Sequence, residues 1–316
     1  MNAADALTRI GAPLSTSERQ GLIKALEGGD NQKRAIIQTH TRLGLEDNHG
    51  TIRCLEEHDN PLVAGAARAY GARHQGRRQA LQPLIQQLQD ELAGRRRAAV
   101  IDLGDAGDVG CLRWIVTAPV SMPLRAKSAF GLVEISGGHK GKITADIEKL
   151  LEQLLRDHPD DLQLRAEWSV PQDPEQIEQD LCHRDEGKQY RAVQGLLTIG
   201  RKTALPLIDH LRSQRGSDYG VHYHLTCSIG FMKFHERADL VRASLEETAP
   251  QYAKSRVAAS WACLALDMDD QATLMRDLAE HAPWKPLRWS CERVLQKLHI
   301  SQGLSPRAHP NQGANV

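Results

Sequence analysis

Five glycines, at positions 44, 71, 104, 200 and 230, each close an Ala/Arg-rich apolar stretch behind a bulky residue: Leu43-Gly44, Tyr70-Gly71, Leu103-Gly104, Ile199-Gly200 and Ile229-Gly230. Ser136-Gly137 fits the same series, so the intervals run 27, 33, 33, 63 and 30, with 63 spanning two units of which one is degenerate. A recurrence of about 31 residues is the mark of a solenoid, in which one supersecondary unit stacks on copies of itself.

The clearest copy runs Tyr190-Arg191-Ala192-Val193-Gln194-Gly195-Leu196-Leu197-Thr198-Ile199-Gly200, followed by Ala204-Leu205-Pro206-Leu207-Ile208 and Leu211. Apolar residues fall at helical spacing on both sides of the glycine. Gly200 suits a left-handed cap that stops a first helix, and the run through Leu211 makes a second helix packed back on it. The same grammar returns in Arg95 to Gly104 with Cys111, Leu112, Trp114 and Ile115 behind it, and less cleanly around Arg125, Arg256 and Arg288. No sustained period-two run of β-branched residues occurs, which argues against a sheet. The expected fold class is therefore all-α, an α-α superhelix of HEAT-like repeats.

Composition agrees with that reading. The chain is 41% hydrophobic but holds only 13 aromatic residues (five Trp, five Tyr, three Phe) among 316, which suits many small Ala/Leu interfaces better than one large core. One solenoid over residues 1–300 is expected. The acidic, proline-rich stretch Asp157-His158-Pro159-Asp160-Asp161 and Pro171-Gln172-Asp173-Pro174 marks a seam near 157–175, and residues 301–316 read as a disordered tail.

Forty basic residues balance forty acidic ones, so no general field draws the chain to nucleic acid or to an anionic membrane. The basic run Arg95-Arg96-Arg97, with Arg73, Arg77 and Arg78 upstream, either holds phosphate or carboxylate or is a solvated helix start whose alkyl stems cover neighbours. Six cysteines, at 54, 111, 182, 227, 263 and 291, show no paired spacing and read as reduced interior thiols of a cytoplasmic protein. No basic and apolar leader opens the chain, and no apolar run approaches a membrane span, so secretion and membrane spanning are not expected.

Several chemistries fail on spacing. Gly137-Gly138-His139-Lys140-Gly141-Lys142-Ile143 lacks the Gly-Lys-Ser/Thr ending of a phosphate-binding loop, and reads as a loop before a helix capped by Thr144 and running through Leu155. There is no His-Glu-x-x-His, no Cys-x-x-Cys and no Gly-x-Ser-x-Gly. Di-iron hydroxylases built from such repeats need several His-Glu pairs, whereas only His235-Glu236 occurs, so no metal ligands are assigned.

One segment breaks the pattern. Residues 217–235 carry Tyr219, Tyr223, Phe231 and Phe234 together with His222, His224 and His235. Aligned by its glycine on the 191–200 copy, this segment puts His222 where Ala192 stands, Tyr223 for Val193 and Thr226 for Leu196. One reading is a core stripe, Tyr219, Tyr223 and Cys227 at i, i+4 and i+8, with wet edges. The other is a cleft for a flat conjugated ligand, with rings to stack and imidazoles that exchange protons near neutral pH.

Two stretches, Arg97-Ala98-Ala99-Val100-Ile101-Asp102-Leu103-Gly104-Asp105-Ala106-Gly107-Asp108 and Ala118-Pro119-Val120-Ser121-Met122-Pro123-Leu124-Arg125-Ala126-Lys127, resemble the HEAT-repeat phycobilisome bilin lyases of the E/F type. The likeness is best over 90–135. The second stretch looks closer to the phycoerythrin lyases of cyanobacteria than to the phycocyanin ones. The resemblance implies a lyase that joins a linear tetrapyrrole, phycoerythrobilin, by a thioether to a cysteine of a phycobiliprotein, phycoerythrin, with or without isomerisation. Bilin is then substrate rather than a resident cofactor, and the partners are the client subunit and a second lyase subunit.

The bond that forms dictates the groups to look for. A client thiol with a pKa of about 8.5 is only a few per cent ionised at neutral pH, so a base or positive field helps it add to the bilin, and an acid delivers the proton to the tetrapyrrole carbon. His222, His224 and Asp102 are the candidates for proton transfer, and Tyr219 and Tyr223 for stacking on the ligand. Arg125, Arg191 and Arg256 are candidates for bilin propionates, or are repeat-defining residues that satisfy neighbouring carbonyls. A non-catalytic phycobiliprotein chaperone and a generic HEAT adaptor need only the concave surface of stacked hairpins. DNA-repair proteins of this architecture need a basic groove that a net charge of zero does not match.

Overall fold

The computed structural model describes residues 6, 10–11, 13–138 and 144–301. Every regular element among them is helical and none is a strand, as the missing period-two pattern predicts. The chain divides into two compact units, residues 1–154, 160–168 and 185–187 in the first, and 155–159, 169–184 and 188–316 in the second. Ser301, the first residue of the expected tail, still belongs to the last helix, and residues 302–316 lie outside the described residues, as do positions 139–143 of the glycine-rich loop. Thr144 does cap the helix that follows, its hydroxyl accepting the Ile147 N–H at 3.4 Å.

In chain order the helices are α1 (Thr16–Lys24), α2 (Asp30–Leu43), α3 (Thr51–Cys54), α4 (Pro61–Gln75), α5 (Gln82–Gln87), α6 (Ala93–Asp105), α7 (Leu112–Val116), α8 (Met122–Val133), α9 (Ala145–Arg156), α10 (Pro174–Leu181), α11 (Glu186–Thr198), α12 (Arg201–Arg215), α13 (Tyr219–Phe231), α14 (Ala238–Glu246), α15 (Ala253–Ala265), α16 (Ala272–His281) and α17 (Lys285–Ser301). In the first unit α2 packs on α4, α4 on α6 and α6 on α8, while the short α5 and α7 lie against α6 and α8. In the second unit α13 packs on α15 and α15 on α17, with α14 and α16 against α15 and α17. Helices one hairpin apart thus stack on each other within each unit, which is the solenoid grammar.

The recurring glycine has a different job from the one its sequence suggests. Gly44 is a left-handed cap at φ 66°, and Gly200 follows α11 at φ 83°. Gly71, Gly104 and Gly230, however, lie inside α4, α6 and α13. Gly104 and Gly230 are there for approach, since a Cβ on Gly104 would stand 2.9 Å from the Ser128 Cβ of α8 and one on Gly230 would stand 2.9 Å from the Ala262 Cα of α15, whereas Gly71 faces the Arg77–Glu56 ion pair. The helices stop beyond these glycines, α4 at Gly76 with φ 68°, α6 after Asp105 and α13 after Phe231. Gly104→Ala and Gly230→Ala should therefore each destabilise by about 1–2 kcal/mol in urea unfolding, because steric overlap against a stacked helix outweighs the ~1 kcal/mol of helix propensity that alanine adds. A gain in stability would return these glycines to the role of dispensable helix breakers.

The cysteine expectation holds for four of six. Cys111, Cys227, Cys263 and Cys291 are buried, but Cys54, the last residue of the short α3, and Cys182, the residue after the short α10, are exposed. Burial pushes the Cys111 thiol up to about 11 and those of Cys263 and Cys291 up to about 12, with Cys227 higher still. These thiols stay protonated and are poor nucleophiles.

Candidate functional site

The polar anomaly of 217–235 is α13 of the second unit. Asp218 starts it, its Oδ1 accepting the N–H groups of Gly220 at 2.8 Å and Val221 at 3.0 Å. From Val221 to Gly230 every residue is buried, although His222, Tyr223, His224, Thr226 and Ser228 are polar. A helix so placed survives only if each polar group finds a partner. Thr226 and Ser228 donate to the carbonyls of His222 and His224, each at 2.8 Å. Nδ1 of His222 lies 2.9 Å from Oγ of Ser255 on α15, and Nε2 of His224 lies 3.2 Å from Oε1 of Gln189 on α11.

The centre of the arrangement is a residue that sequence reasoning assigned only to a seam. Asp157 follows α9, is 3% exposed and sits at φ 53°, in the left-handed region. Its Oδ2 accepts the hydroxyl of Tyr190 at 2.8 Å and also that of Tyr223. The His224 ring stands between the two phenols, 5.2 Å from Tyr190 and 5.1 Å from Tyr223 by ring centroids, in edge-on contacts. Burial, followed by the negative charge of Asp157, pushes the Tyr223 hydroxyl well above the usual phenol range, so it stays a donor. Tyr219 departs from the rest of the stripe: it is 45% exposed and meets Tyr252 edge-on at 5.0 Å, while Tyr252 in turn lies 4.8 Å from the His222 ring.

His222 and His224 share a helix but face different neighbours. Asp102 lies in the first unit, where its carboxylate takes Arg34 at 2.7 and 2.9 Å and Gln38 at 3.3 Å; burial, opposed by Arg34, pushes it up to about 6. Arg125, 1% exposed, donates to the carbonyls of Val120 at 2.9 Å and Val116 at 2.6 Å. Arg256 reaches the carbonyl of Leu245 at 3.1 Å, and Arg288 that of Ala282 at 2.6 Å. These arginines start α8, α15 and α17 and tie down carbonyls at the ends of α7, α14 and α16, the carbonyl-satisfying alternative for the repeat arginine. Arg191 lies on α11 with Nη1 2.8 Å from Gln194 Oε1.

Burial, then the positive charge of Arg212, lowers the His222 pKa to about 4. A histidine that folds neutral contributes stability in full above its ordinary value of about 6.5 and loses it as pH falls toward 4, because the unfolded chain then binds the extra proton. Wild type should lose on the order of 2 kcal/mol more than His222→Asn between pH 7 and pH 4.5, after allowance for screening. Urea midpoints at both pH values measure it, and equal losses in the two proteins would contradict a neutral buried His222. Asp102 runs the other way, its cost growing as pH rises from about 4 to 6, but it cancels in this comparison.

Beside α13 opens a cleft of about 240 Å³, lined by Arg156 and His158 flanking Asp157, by Phe231 and Lys233 at the end of α13, and by residues of α15 that include Trp261. The His158 ring lies 4.6 Å from Phe231. Among the described residues no three His, Cys, Asp or Glu side chains are placed to hold a metal ion, and no helix is long and apolar enough to cross a membrane.

No protein-family model matches the chain. Human deoxyhypusine hydroxylase in complex with glycerol overlaps 90% of this chain and 96% of its own at 16% identity, and its TM-score of 0.37 is too low to carry an argument. The chain is 26% identical over 243 residues to the uncharacterized phycocyanin operon protein Y of Pseudanabaena tenuis, a match that covers 76% of this chain and 58% of that protein, so the chain spans less than two thirds of the curated relative it matches.

Proposed function

We propose that this chain serves phycobilisome assembly as a bilin lyase, joining a linear tetrapyrrole to a cysteine of a phycobiliprotein. The observation that carries the reading is the similarity to a phycocyanin operon protein over 76% of the chain. The likeness of residues 97–108 and 118–127 to E/F-type lyases supports it, and the closer likeness of the second segment to the phycoerythrin lyases supports phycoerythrobilin and phycoerythrin as bilin and client. In the reaction the client sulfur bonds to a carbon of a bilin double bond, the thiol proton leaves to a base, and a proton adds to the tetrapyrrole carbon that takes up the electron pair. His224 and His222 are the proposed proton carriers; the His222 ring lies 4.8 Å from Tyr252, which meets the exposed Tyr219 edge-on.

Co-expression with a phycoerythrin subunit and the enzymes that make phycoerythrobilin tests it. The expected product is a subunit whose bilin survives denaturation and is absent without this chain. The partnering of the buried polar groups on α13 favours a second reading, a phycobiliprotein chaperone. A client kept soluble but never covalently coloured would establish the chaperone and exclude the lyase.

A further inference from the structure

Three helix ends meet at the cleft of the second unit. Arg156 ends α9, Phe231 ends α13 and Ala265 ends α15, and all three line it. Beyond each of these ends the chain turns through a non-glycine residue in the left-handed region: Asp157 at φ 53°, Lys233 at φ 51° and Asp267 at φ 54°, the only such residues among those described. The turn after α13 closes with the Phe234 N–H on the carbonyl of Ile229 at 3.0 Å and the Lys233 N–H on that of Gly230 at 3.2 Å. That is a Schellman ending, whose left-handed position glycine normally fills and asparagine or aspartate tolerates; lysine is disfavoured there. A strained residue kept at the mouth of a cleft points to its side chain.

The chemistry of the cleft is consistent. Its lining holds two cations, Arg156 and Lys233, both exposed at the rim, and no carboxylate. Its lining includes the small groups of Gly230, Ala258, Ala262 and Ala265 and the rings of Trp261, Phe231 and His158. Cys227 also lines it, as a protonated thiol. At about 240 Å³ the space falls below the roughly 300–1,000 Å³ of pockets that enclose whole drug-sized ligands. It fits one heteroaromatic ring with a short acidic arm, not an entire tetrapyrrole.

We infer that this cleft is the anchoring subsite for one carboxylate-bearing pyrrole of a linear tetrapyrrole, with Lys233 pairing the carboxylate and Trp261 and Phe231 holding the ring. The inference rests on the bilin reading for the identity of its ligand. The remaining rings extend out of the cleft, so the subsite positions the substrate and performs no bond-making step.

Biliverdin and its dimethyl ester, titrated into the purified chain and followed by bilin absorbance and tryptophan quenching, test the assignment. The free acid should bind about 10-fold more tightly than the ester, as expected for one charge-assisted contact at a screened rim. Lys233→Gly removes the cation while relieving the left-handed strain, so it should melt no lower than wild type, bind the acid about as weakly as the ester, and leave ester binding unchanged. Arg156→Gln repeats the measurement on a second cation. Equal binding of acid and ester by wild type, discrimination that survives in Lys233→Gly, or no binding of either form would each overturn the subsite. Co-expression transfer is scored separately: transfer without Lys233-dependent discrimination sinks only the subsite, and discrimination without transfer sinks only the lyase.

Discussion

Asp157→Ala should cost the second unit about 3–5 kcal/mol. The carboxylate accepts the hydroxyls of Tyr190 and Tyr223, both buried, and alanine removes the acceptor that the two phenols share. A buried donor that loses its acceptor costs roughly 1–3 kcal/mol. Alanine must also adopt φ near 53°, which adds about 1 kcal/mol. Asn is the control that separates these contributions, since it tolerates the left-handed region and keeps one amide oxygen; Asp157→Asn should lose only about 1–2 kcal/mol. Urea unfolding read by circular dichroism gives both values. A loss below about 1 kcal/mol in Asp157→Ala would show that the phenols find water or other partners, and that Asp157 is not what fixes α11 and α13 to the end of α9.

The weight on Asp157 shows which parts of the molecule its sequence exposes. The repeat was legible because stacking demands a recurring small residue and a recurring arginine at fixed places, and both recur as letters. The function of the glycine was not legible, because an apolar-Gly pair is written the same way whether the glycine ends a helix, as Gly44 does, or admits a neighbouring helix, as Gly104 and Gly230 do. Asp157 was concealed for a different reason. It stands in an acidic, proline-containing run that reads as a connector, and its two partners lie 33 and 66 residues further on. The polar cluster on α13 was visible as a break in the repeat, but two histidines two residues apart point to different sides of a helix. Their partners, Ser255 and Gln189, come from other hairpins that a single sequence does not pair with them. Arg156 and Lys233 gave no signal, since basic residues at helix ends are ordinary complements of the helix dipole.

On the lyase reading, His222→Asn/His224→Gln should lower bilin transfer to a co-expressed phycoerythrin subunit by ~10²-fold, the range expected for losing a general acid or base. Asn and Gln are preferred to Ala because His222 and His224 have partners in Ser255 and Gln189; alanine would leave those groups unpaired as well as opening a cavity, and would mix instability with lost chemistry. The two single variants should not contribute equally. His222, with its pKa lowered to about 4, is deprotonated throughout the working range but is a weak base toward a thiol, so His222→Asn should cost less than about 10-fold. Most of the loss should follow His224→Gln. The pH profile provides an independent check: any limb due to His222 rises near pH 4, where the base form appears, and not near 6.5. Melting curves run beside the transfer assay separate chemistry from folding. A double variant that melts like wild type and transfers bilin at the full rate would remove α13 from the proton pathway and assign its histidines to the packing of α11 and α15.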